Sequence, residues 1–361
     1  MSVLTRPTIV VVGGSFAGVS VVKQVFQQSS PARVILVSPS QQTYNNTSAP
    51  RLLVRPELAP QALVDLTRLD RRKGDHDFNL VIGKATSLDV NSSKLHLSNR
   101  ADPISYDFCV VATGQRSGNA AFKANGDVTR SVESIKEMND AIKSARRICV
   151  VGGGSTGCEV SGEITSTYPE KSVTLVTGDK LGPLSMFGAK IARAAEKRLA
   201  GLGVDVVNKL AKVDGNRVTY DGEVKPHVFD LVIPTFGYTP NTDFVPKQYL
   251  DRRGYIVVDD HFKVKGTDTV FAIGDCASLT SKSAADVNMV QSSVMLNTIR
   301  REMFGENIPA KAYKPTPPTS LVPIGPNGGV GVLWGYKLPS FAVWFTKARD
   351  FTIPESKDLL S

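Results

Sequence analysis

Cysteine is scarce in this chain, and no two cysteines lie close together in the sequence. The four cysteines are Cys109, Cys149, Cys158 and Cys276, and none of them forms the CxxC or CxxxxC pattern expected of a redox dithiol or a zinc site. Cys109 and Cys149 lie in apolar, strand-like runs, where cysteine usually packs as a small buried hydrophobe. We therefore expect no metal site and no dithiol chemistry, and the cysteine content suits the reducing cytosol.

Long apolar runs and clusters of basic residues are also missing. No run approaches the roughly 18 apolar residues that a membrane-spanning helix needs. A strand-like run starts at residue 8, and Ser2 stands where myristoylation requires glycine. We therefore expect no signal or transit peptide and no N-terminal lipid. These absences predict a cytoplasmic protein and leave open a peripheral contact with a membrane or the mitochondrial surface.

The composition indicates a globular protein with a basic surface. The chain has 361 residues, of which 41% are hydrophobic and 21% charged, and its net charge is +9 at pH 7. This length predicts two or three domains. We interpret the basic excess as a solubilising surface, with a patch for anionic lipid or nucleotide phosphates as the alternative. Because no long basic run is present, we do not expect nucleic acid as a partner.

The most informative stretch is residues 149–164, CVVGGGSTGCEVSGEI. It predicts a β-branched strand, a tight glycine turn and then a helix. In such a turn one glycine makes the bend, one lets a pyrophosphate approach the backbone, and one lets the helix pack on the strand. The helix N-terminus adds free N–H groups and the positive end of its dipole. We predict that a dinucleotide binds at Gly152, Gly154, Ser155, Thr156 and Gly157.

A related pattern begins near residue 8. A strand-like run leads into GGSFAG at residues 13–18, a helical stretch follows, and a second apolar run ends at Ser38. These elements form a βαβ unit of the kind found in doubly wound folds. Ser15 replaces the glycine that usually faces the pyrophosphate, and Ser38 stands where an acid usually holds the adenosine ribose. A βαβ unit that binds no nucleotide is the alternative interpretation.

The corresponding strand of the central unit also lacks a terminal acid. Residues 172–177 run into Gly178, Asp179 and Lys180. A missing acid with a lysine nearby tolerates the 2′-phosphate of NADPH. Both NADH and NADPH therefore remain candidate ligands for this unit.

The order of these runs predicts an α/β fold with two Rossmann-like dinucleotide-binding domains and a small C-terminal α+β unit. The first domain is predicted to span residues 1–118 and 246–305, because the chain returns to strand-like runs after a middle domain at 119–245. A proline-rich linker precedes the C-terminal unit, residues 306–361. Within the first domain, residues 61–74 are predicted to form an exposed amphipathic helix.

Three further motifs accompany the two glycine turns: ATG at residues 112–114, FGYTPN at 236–241 and AIGDCA at 272–277. This set, which spans nearly the whole chain, resembles the glutathione-reductase-like flavoprotein reductases with two dinucleotide domains. Residues 46–51, 152–163, 167–170, 313–315, 327–331 and 346–350 more narrowly resemble the apoptosis-inducing-factor-like mitochondrion-associated oxidoreductases. These proteins, also called ferroptosis suppressor proteins, are similar in organisation to type II NADH dehydrogenases, and fungal-type members are the most similar.

The resemblance implies that FAD occupies the first domain and NAD(P)H the second, and that quinones accept the electrons. The residues it assigns to FAD are Gly13, Gly14, Ser15, Phe16, Ala17, Gly18, Ser38, Arg51, Val81, Gly114 and Asp275. Glu159 joins the turn residues already assigned to NAD(P)H. Two assignments have structural alternatives: Arg51 as a surface arginine paired with an acid, and Asp275 as the N-cap of the following helix.

Lys347 and Glu159 are the predicted catalytic residues. A cation near the N1–O2 edge of a flavin stabilises its anionic reduced form, which is the role we predict for Lys347; alternatively, Lys347 pairs with Asp350 on an exposed helical turn. Glu159 would position the nicotinamide or Lys347, or would only complement the helix dipole. Aromatic residues near the C-terminus would line the approach of a quinone or form a small core: Trp334, Phe341, Trp344 and Phe345.

The predicted activity is that of a flavoprotein NAD(P)H:quinone oxidoreductase. Without a dithiol, electrons must pass directly from the flavin to a diffusible acceptor. One alternative is a slow-turnover sensor or signalling protein that binds flavin and NAD. Another is a reductase of a small electron-carrier protein, which the basic charge would suit. Peripheral membrane contact through the C-terminal unit and the oligomeric state stay open.

Overall fold

The computed structural model describes residues 6–124 and 126–360. Its first sheet has five parallel strands rich in β-branched residues, as expected of a sheet covered on both faces. Their spatial order is Val270–Ala272, Phe108–Val111, Thr8–Val12, Arg33–Ser38 and Asp77–Ile82. In the register, Val10 lies opposite Ile35 on one side and Cys109 on the other. The carboxyl ends of these strands meet at one edge of the sheet.

A second parallel sheet of four strands repeats this plan, in the order Asp205–Val207, Ser172–Val176, Arg147–Val151 and Leu231–Pro234. In each sheet an inner strand leads through a glycine turn into a helix that crosses to the neighbouring strand. We call these helices the first turn helix (Phe16–Phe26) and the second turn helix (Ser155–Thr167). The predicted α/β class and the Rossmann-like sheets are confirmed.

The chain leaves the first sheet and later returns to it. Strand Val270–Ala272 pairs in parallel with Phe108–Val111, although the whole second sheet lies between them in sequence. The two connecting segments run side by side, because Gln115–Arg116 and Thr239–Pro240 form an antiparallel pair. The predicted boundaries near residues 118 and 245 stay predictions.

Short antiparallel sheets accompany the parallel ones: Gln42–Tyr44 with Leu63–Asp65; Ala85–Asp89, Lys94–Leu97 and Ile104–Ser105; Ala211–Asp214, Arg217–Tyr220 and His227–Val228. Further helices are Val128–Ser144, Ala189–Leu202 and a continuous stretch made of Ala284–Asp286, Val287–Gln291, Ser292–Thr298 and Ile299–Met303. Among the described residues, no helix combines the length and the apolar character needed to cross a bilayer.

The predicted amphipathic helix at residues 61–74 is wrong. The short strand Leu63–Asp65 occupies this region, followed by a 3-10 turn at Leu66–Arg72. The Asp65 carboxylate accepts a hydrogen bond of 2.9 Å from the Thr67 N–H, so a new turn starts where a longer helix would have continued. Leu69 is fully buried rather than exposed.

The C-terminal segment forms a small sheet of its own and packs against the cores of both parallel sheets. It contains the strands Ser320–Pro323, Gly329–Leu333 and Tyr336–Leu338, the helix Ser340–Val343 continuing into Trp344–Ala348, and the turn Pro354–Leu360. Ile324 and Phe351 share a core cluster with Val160 of the second turn helix, whereas Leu360 belongs to the core of the first sheet. The α and β elements predicted for this unit are present, but their apolar side chains complete the cores of the two larger units.

A backbone-to-backbone contact joins the second turn helix to the C-terminal segment at Gly162. A Cβ atom at Gly162 would lie 2.5 Å from the Gly325 nitrogen and 3.0 Å from the Ile324 carbonyl carbon. A Cβ atom at Gly201, in the helix Ala189–Leu202, would meet no atom within 4 Å. Gly162 is therefore enclosed by backbone, whereas the space around Gly201 is open among the described residues.

We expect Gly162→Ala to lower the free energy of unfolding by about 1–3 kcal/mol, since side-chain rotation cannot relieve a clash with backbone. Gly201→Ala is the matched control, and it should raise that free energy by about 0.5–1 kcal/mol because alanine is the better helix former. Urea unfolding followed by circular dichroism measures both changes. Equal effects of the two substitutions would contradict the tight contact at Gly162.

Candidate active site

The first glycine turn has a conformation that only glycine adopts readily. Gly13 has φ +121°, and its N–H donates a 2.8 Å hydrogen bond to the Val37 carbonyl oxygen. A Cβ atom at Gly18 would lie 1.8 Å from the Gly13 carbonyl oxygen. Gly18 therefore allows the first turn helix to begin directly against its strand, as the sequence pattern predicts.

The second glycine turn repeats this geometry. Gly152 has φ +124°, its N–H donates a 2.8 Å hydrogen bond to the Val176 carbonyl oxygen, and a Cβ atom at Gly157 would lie 1.8 Å from the Gly152 carbonyl oxygen. A Cβ atom at Gly154 would lie 3.9 Å from the Met186 methyl carbon, which is an ordinary contact without a clash. Among the described residues, no side chain forms a capping hydrogen bond at the N-terminus of the following helix, so its first N–H groups can meet a phosphate.

A cavity of about 530 Å³ opens over the first glycine turn, a size typical of ligand sites. Most of the residues predicted to bind FAD line it: Gly13, Gly14, Ser15, Phe16, Ala17, Ser38, Gly114 and Asp275. Gly18 lies behind the turn. Gly83, Lys84 and Ala85 line the cavity where the strand carrying Val81 ends, but Val81 itself is outside the described lining.

The charges of this cavity suit a dinucleotide. Lys84, Arg116 and Lys123 contribute to its lining, and none of them was predicted from sequence. The Lys123 Nζ lies 2.7 Å from an Asp275 carboxylate oxygen, and the Arg116 Nη1 lies 3.0 Å from Asp243. Cations beside a helix N-terminus favour a pyrophosphate, and small residues at the turn let it approach. The lining therefore fits FAD.

Ser38 ends one strand of the first sheet, Asp275 lies beyond the end of another, and both residues line the cavity. Asp275 follows the strand Val270–Ala272, whereas the next helix is capped by Ser283, whose hydroxyl accepts a 3.4 Å hydrogen bond from the Asp286 N–H. The alternative in which Asp275 caps that helix is therefore wrong. Ser38 is buried, and its hydroxyl accepts a 3.3 Å hydrogen bond from the Ser40 N–H.

Arg51 does not reach the cavity. Its guanidinium forms a bidentate ion pair with Glu163 of the second turn helix, including a 3.2 Å contact from Nη2 to Oε1, and it lies 4.8 Å from the centre of the Phe351 ring. The structure therefore does not support the predicted FAD contact. The alternative of an acidic partner is closer to the structure, although the pair is buried rather than on the surface.

Lys347 pairs with Glu159. The Lys347 Nζ lies 2.7 Å from Glu159 Oε1, and the two side chains are 17% and 5% exposed. Asp350, the alternative partner, instead pairs with Arg349 at 2.9 Å. Neither Glu159 nor Lys347 belongs to the described lining of the cavity. Glu159 lies two residues after Gly157, so the ion pair is near the start of the second turn helix.

Burial opposes the ionisation of both carboxylates in this helix. Burial raises the pKa of Glu159, and the charge and hydrogen bond of Lys347 act in the opposite direction. Burial likewise raises the pKa of Glu163, and Arg51 opposes it. Each carboxylate is therefore held in the core by its own cation.

A second cavity of about 440 Å³ adjoins the first and shares Phe16 and Ala284 with it. Its remaining lining is mostly polar and includes Lys23, Asn45, Thr47, Asn288, Thr352 and Glu355. The aromatic residues predicted to line a quinone approach lie elsewhere in the part of the chain that the structure describes. Trp334, Tyr336, Phe341, Trp344 and Phe345 are exposed; we call these five residues the aromatic surface.

Sequence reasoning missed several residues of the site. Asn241 lines the cavity and belongs to the FGYTPN motif at 236–241, so the motif could have indicated it. Lys123 lies in a polar segment without a motif. Tyr44 also lines the cavity, and its hydroxyl donates to the Ala121 carbonyl oxygen at 3.1 Å, a contact with no sequence signal.

Removing the cation from Glu159 should destabilise the protein in a pH-dependent way. A carboxyl whose pKa is raised by folding stabilises the folded state at pH values below the pKa that the carboxyl has in the unfolded chain. This contribution to the free energy of unfolding is lost as the pH rises through the pKa that the carboxyl has in the folded protein. Because Lys347→Met removes the group that opposes the rise, its loss of stability relative to wild type should be small near about pH 5 and approach about 3–5 kcal/mol near about pH 8.

Urea unfolding at the two pH values tests this expectation. Lys357→Met removes an exposed lysine from the same segment and should change stability little at either pH. A loss in Lys347→Met that is the same at both pH values would mean that Glu159 is not the group left unpaired.

Comparison with known proteins agrees with the α/β fold and the two dinucleotide turns. The chain is 35% identical to Oxidoreductase ptaL of Pestalotiopsis fici over 93% of its own length and 94% of the relative. It is 26% identical to Ferroptosis suppressor protein 1 of Xenopus tropicalis, with 99% and 96% covered. The solved structure of NDH2 from Plasmodium falciparum in complex with NADH has the same fold, with a TM-score of 0.79 at 16% identity and coverage of 98% of this chain and 96% of that one.

A model of the pyridine nucleotide-disulphide oxidoreductase family matches residues 7–296, most of the chain. This match confirms the predicted cofactors, FAD with NADH or NADPH. With its two glycine turns, its cavity and these matches, the chain belongs to the pyridine nucleotide-disulphide oxidoreductase family.

Proposed function

We propose that this chain is an NAD(P)H:quinone oxidoreductase of the apoptosis-inducing-factor-like, ferroptosis-suppressor group, in its fungal-type branch. The observation that carries the proposal is the presence of two matching dinucleotide turns together with four free, buried cysteines. Burial raises the pKa of Cys109 and Cys149 to about 12, and it also raises the pKa of Cys158 and Cys276. These thiols stay protonated and cannot relay electrons as thiolates.

Each group of residues has a defined task in this proposal. FAD, when bound, supplies hydride acceptance and electron transfer. The first glycine turn and its helix N-terminus bind the pyrophosphate, and Asp275 and Ser38 hold the sugar-like hydroxyls. The second glycine turn binds NAD(P)H. Lys347, which Glu159 fixes beside the second turn helix and outside the described lining of both cavities, is assigned the positive charge that stabilises the developing negative charge.

The adjoining cavity supports direct transfer to a small acceptor. It meets the first cavity at Phe16 and Ala284, so an acceptor seated there lies next to the FAD site. The Asn288 amide and the Lys23 ammonium of its lining can donate hydrogen bonds to the carbonyl oxygens of a quinone ring. A polar quinone head group therefore suits this lining.

The decisive experiment is an anaerobic titration of the purified protein with NADH and with NADPH, followed by addition of a soluble quinone. We expect bleaching of the flavin absorbance by one or both donors and rapid reoxidation by the quinone. A reduced flavin that persists for minutes in excess quinone would favour a slow-turnover sensor. Reoxidation that requires a small carrier protein and falls steeply with salt would favour a carrier reductase.

Lys347→Ala should lower NAD(P)H:quinone turnover by about tenfold or more, the scale of one lost electrostatic contact in an active site, while FAD stays bound. Steady-state kinetics at about pH 6, where the variant is expected to remain folded, measures the effect. Lys357→Ala is the matched control and should retain wild-type turnover. Wild-type turnover in Lys347→Ala would contradict the assigned role.

We further propose that the aromatic surface makes a peripheral membrane contact. Phe341, Phe345 and Tyr336 are 72%, 66% and 79% exposed, and exposed aromatic clusters of this kind are typical of interaction surfaces. Lys337 and Arg349 lie beside them in sequence, and cations favour anionic lipid. Amphipathic aromatic rings settle at the level of the headgroups.

The double variant Phe341→Ser/Phe345→Ser should lose most of its cosedimentation with vesicles containing phosphatidylserine. Each buried phenylalanine side chain is worth about 1.5–3 kcal/mol, so two substitutions weaken binding by at least about a hundredfold. Val224→Ser, at a 95% exposed apolar position in the second unit, is the control and should cosediment like wild type. Unchanged cosedimentation of the double variant would remove the aromatic surface from the membrane contact.

A further inference from the structure

The buried charges around the second turn helix form a neutral set of four. Glu159 and Glu163, one turn apart in the helix, pair with Lys347 and Arg51 respectively. Both cations lie near the ring of Phe351, whose centre is 5.6 Å from the Lys347 Nζ and 4.8 Å from the Arg51 guanidinium carbon. Lys347 and Arg51 therefore belong to one connected cluster, although only Lys347 has a proposed role in catalysis.

Arg51 also holds the end of the helical segment that carries Lys347, Trp344–Ala348, which we call the lysine helix. The Arg51 Nη2 donates a 3.0 Å hydrogen bond to the Ala348 carbonyl oxygen, and Nη1 donates one of 3.4 Å to the Arg349 carbonyl oxygen. The last carbonyls of a helix have no partner within the helix. A guanidinium at this end satisfies them and complements the negative end of the dipole.

The backbone beyond the lysine helix is held in a costly conformation. Phe351 and Thr352 have φ +55° and +54°, a region that disfavours bulky and β-branched residues. The Thr352 N–H donates a 3.0 Å hydrogen bond to the Asp350 carboxylate, and the Thr352 carbonyl oxygen accepts a 3.1 Å hydrogen bond from the Asn45 side chain. Asn45 and Arg51 belong to the same segment of the first domain, so this segment fixes the bend as well as the helix end.

We propose that Arg51 is a positioning residue for Lys347: by capping the lysine helix and stacking on Phe351, it keeps the Lys347 ammonium on Glu159. Arg51 therefore does more than neutralise the Glu163 carboxylate. A lysine in its place could not do the same, because the fork of the guanidinium reaches the carboxylate and the helix carbonyls at once. The proposal has a geometric consequence, the accessibility of the Lys347 ammonium, and a functional consequence, the rate of quinone turnover. Only the functional consequence rests on the proposed role of Lys347 in catalysis.

The geometric consequence is measured by acetylation of lysines with a limiting amine-reactive reagent, read by peptide mass spectrometry. In wild type, Lys347 should react slowly because it is buried and paired. In Arg51→Met its rate should rise about tenfold, the scale of one lost charge-assisted hydrogen bond. Lys357 in the same samples should react at the same rate in both proteins. The double variant Arg51→Met/Glu163→Gln leaves no buried carboxylate without its cation, and it should show the same increase.

The functional consequence is measured as quinone turnover of the FAD-loaded proteins. Arg51→Met and the double variant should both lose about tenfold in kcat, while KM for the donor changes by less than about threefold, because the lost interaction acts at the reacting end of the site. Arg55→Met, which removes an exposed arginine paired with Glu57 at the surface, should keep wild-type turnover. Recovery of full turnover in the double variant would mean that Arg51 only neutralises Glu163, and the proposal would be overturned.

Unchanged acetylation of Lys347 in both Arg51 variants would also overturn the proposal. The two experiments separate this inference from the proposed function. If wild type does not reduce quinones, the proposed function fails, and the acetylation rates still decide whether Arg51 positions Lys347.

Discussion

Two carboxylates buried in the second turn helix determine how the parts of this chain must assemble. Glu159 and Glu163 lie in a helix whose surroundings are mostly apolar, and a buried carboxylate without a partner is strongly unfavourable. Their cations come from far away in sequence, 112 residues for Arg51 and 188 for Lys347. Loss of one partner from such a pair costs about 3–5 kcal/mol. Separating Arg51 and the C-terminal segment from the second turn helix would therefore leave both buried carboxylates without their cations.

The glycine turns impose the second constraint, and it is steric. In both turns the first glycine has a positive φ, and the last lies so close to it that a side chain cannot fit. The middle position is different: Ser15 occupies it in the first turn and Gly154 in the second. A hydroxyl is tolerated there because the position faces the cavity rather than the strand. Packing thus fixes the outer glycines, whereas the middle position, which faces the cavity in the first turn, does not carry the same steric constraint.

Features that depend on neighbouring residues can be predicted from this sequence, whereas contacts between distant residues cannot. A strand, a glycine turn and a helix are adjacent in the chain, so their pattern indicates the fold, the two dinucleotide sites and the part of the cavity lining that the first glycine turn supplies. Arg51, Lys123 and Tyr44 find their partners across large sequence separations, and no local pattern indicates such pairs. Arg51 was predicted to bind FAD because its loop follows the second strand; the buried Glu163 is the stronger attraction for its guanidinium.

Local signals also fail where a tertiary contact competes with them. Residues 61–74 have the periodicity of an amphipathic helix, but pairing of Leu63–Asp65 with Gln42–Tyr44 gives this backbone its hydrogen bonds instead. The side chain of Asp65 then starts a separate turn. Periodicity reports which residues are apolar, whereas the neighbouring strand decides how they are buried.

The lysine helix carries both Lys347, which is proposed to act in catalysis, and two residues of the aromatic surface, which is proposed to contact a membrane. Trp344 and Phe345 point into solvent, while Lys347, in the same helical segment, lies inside on Glu159. The position of the ammonium group and the exposure of the two aromatic rings therefore depend on the same short stretch of backbone. Arg51 binds the far end of this stretch through the Ala348 carbonyl oxygen. The Arg51 contacts thus hold in place both the residue proposed to act in catalysis and the backbone that carries Trp344 and Phe345.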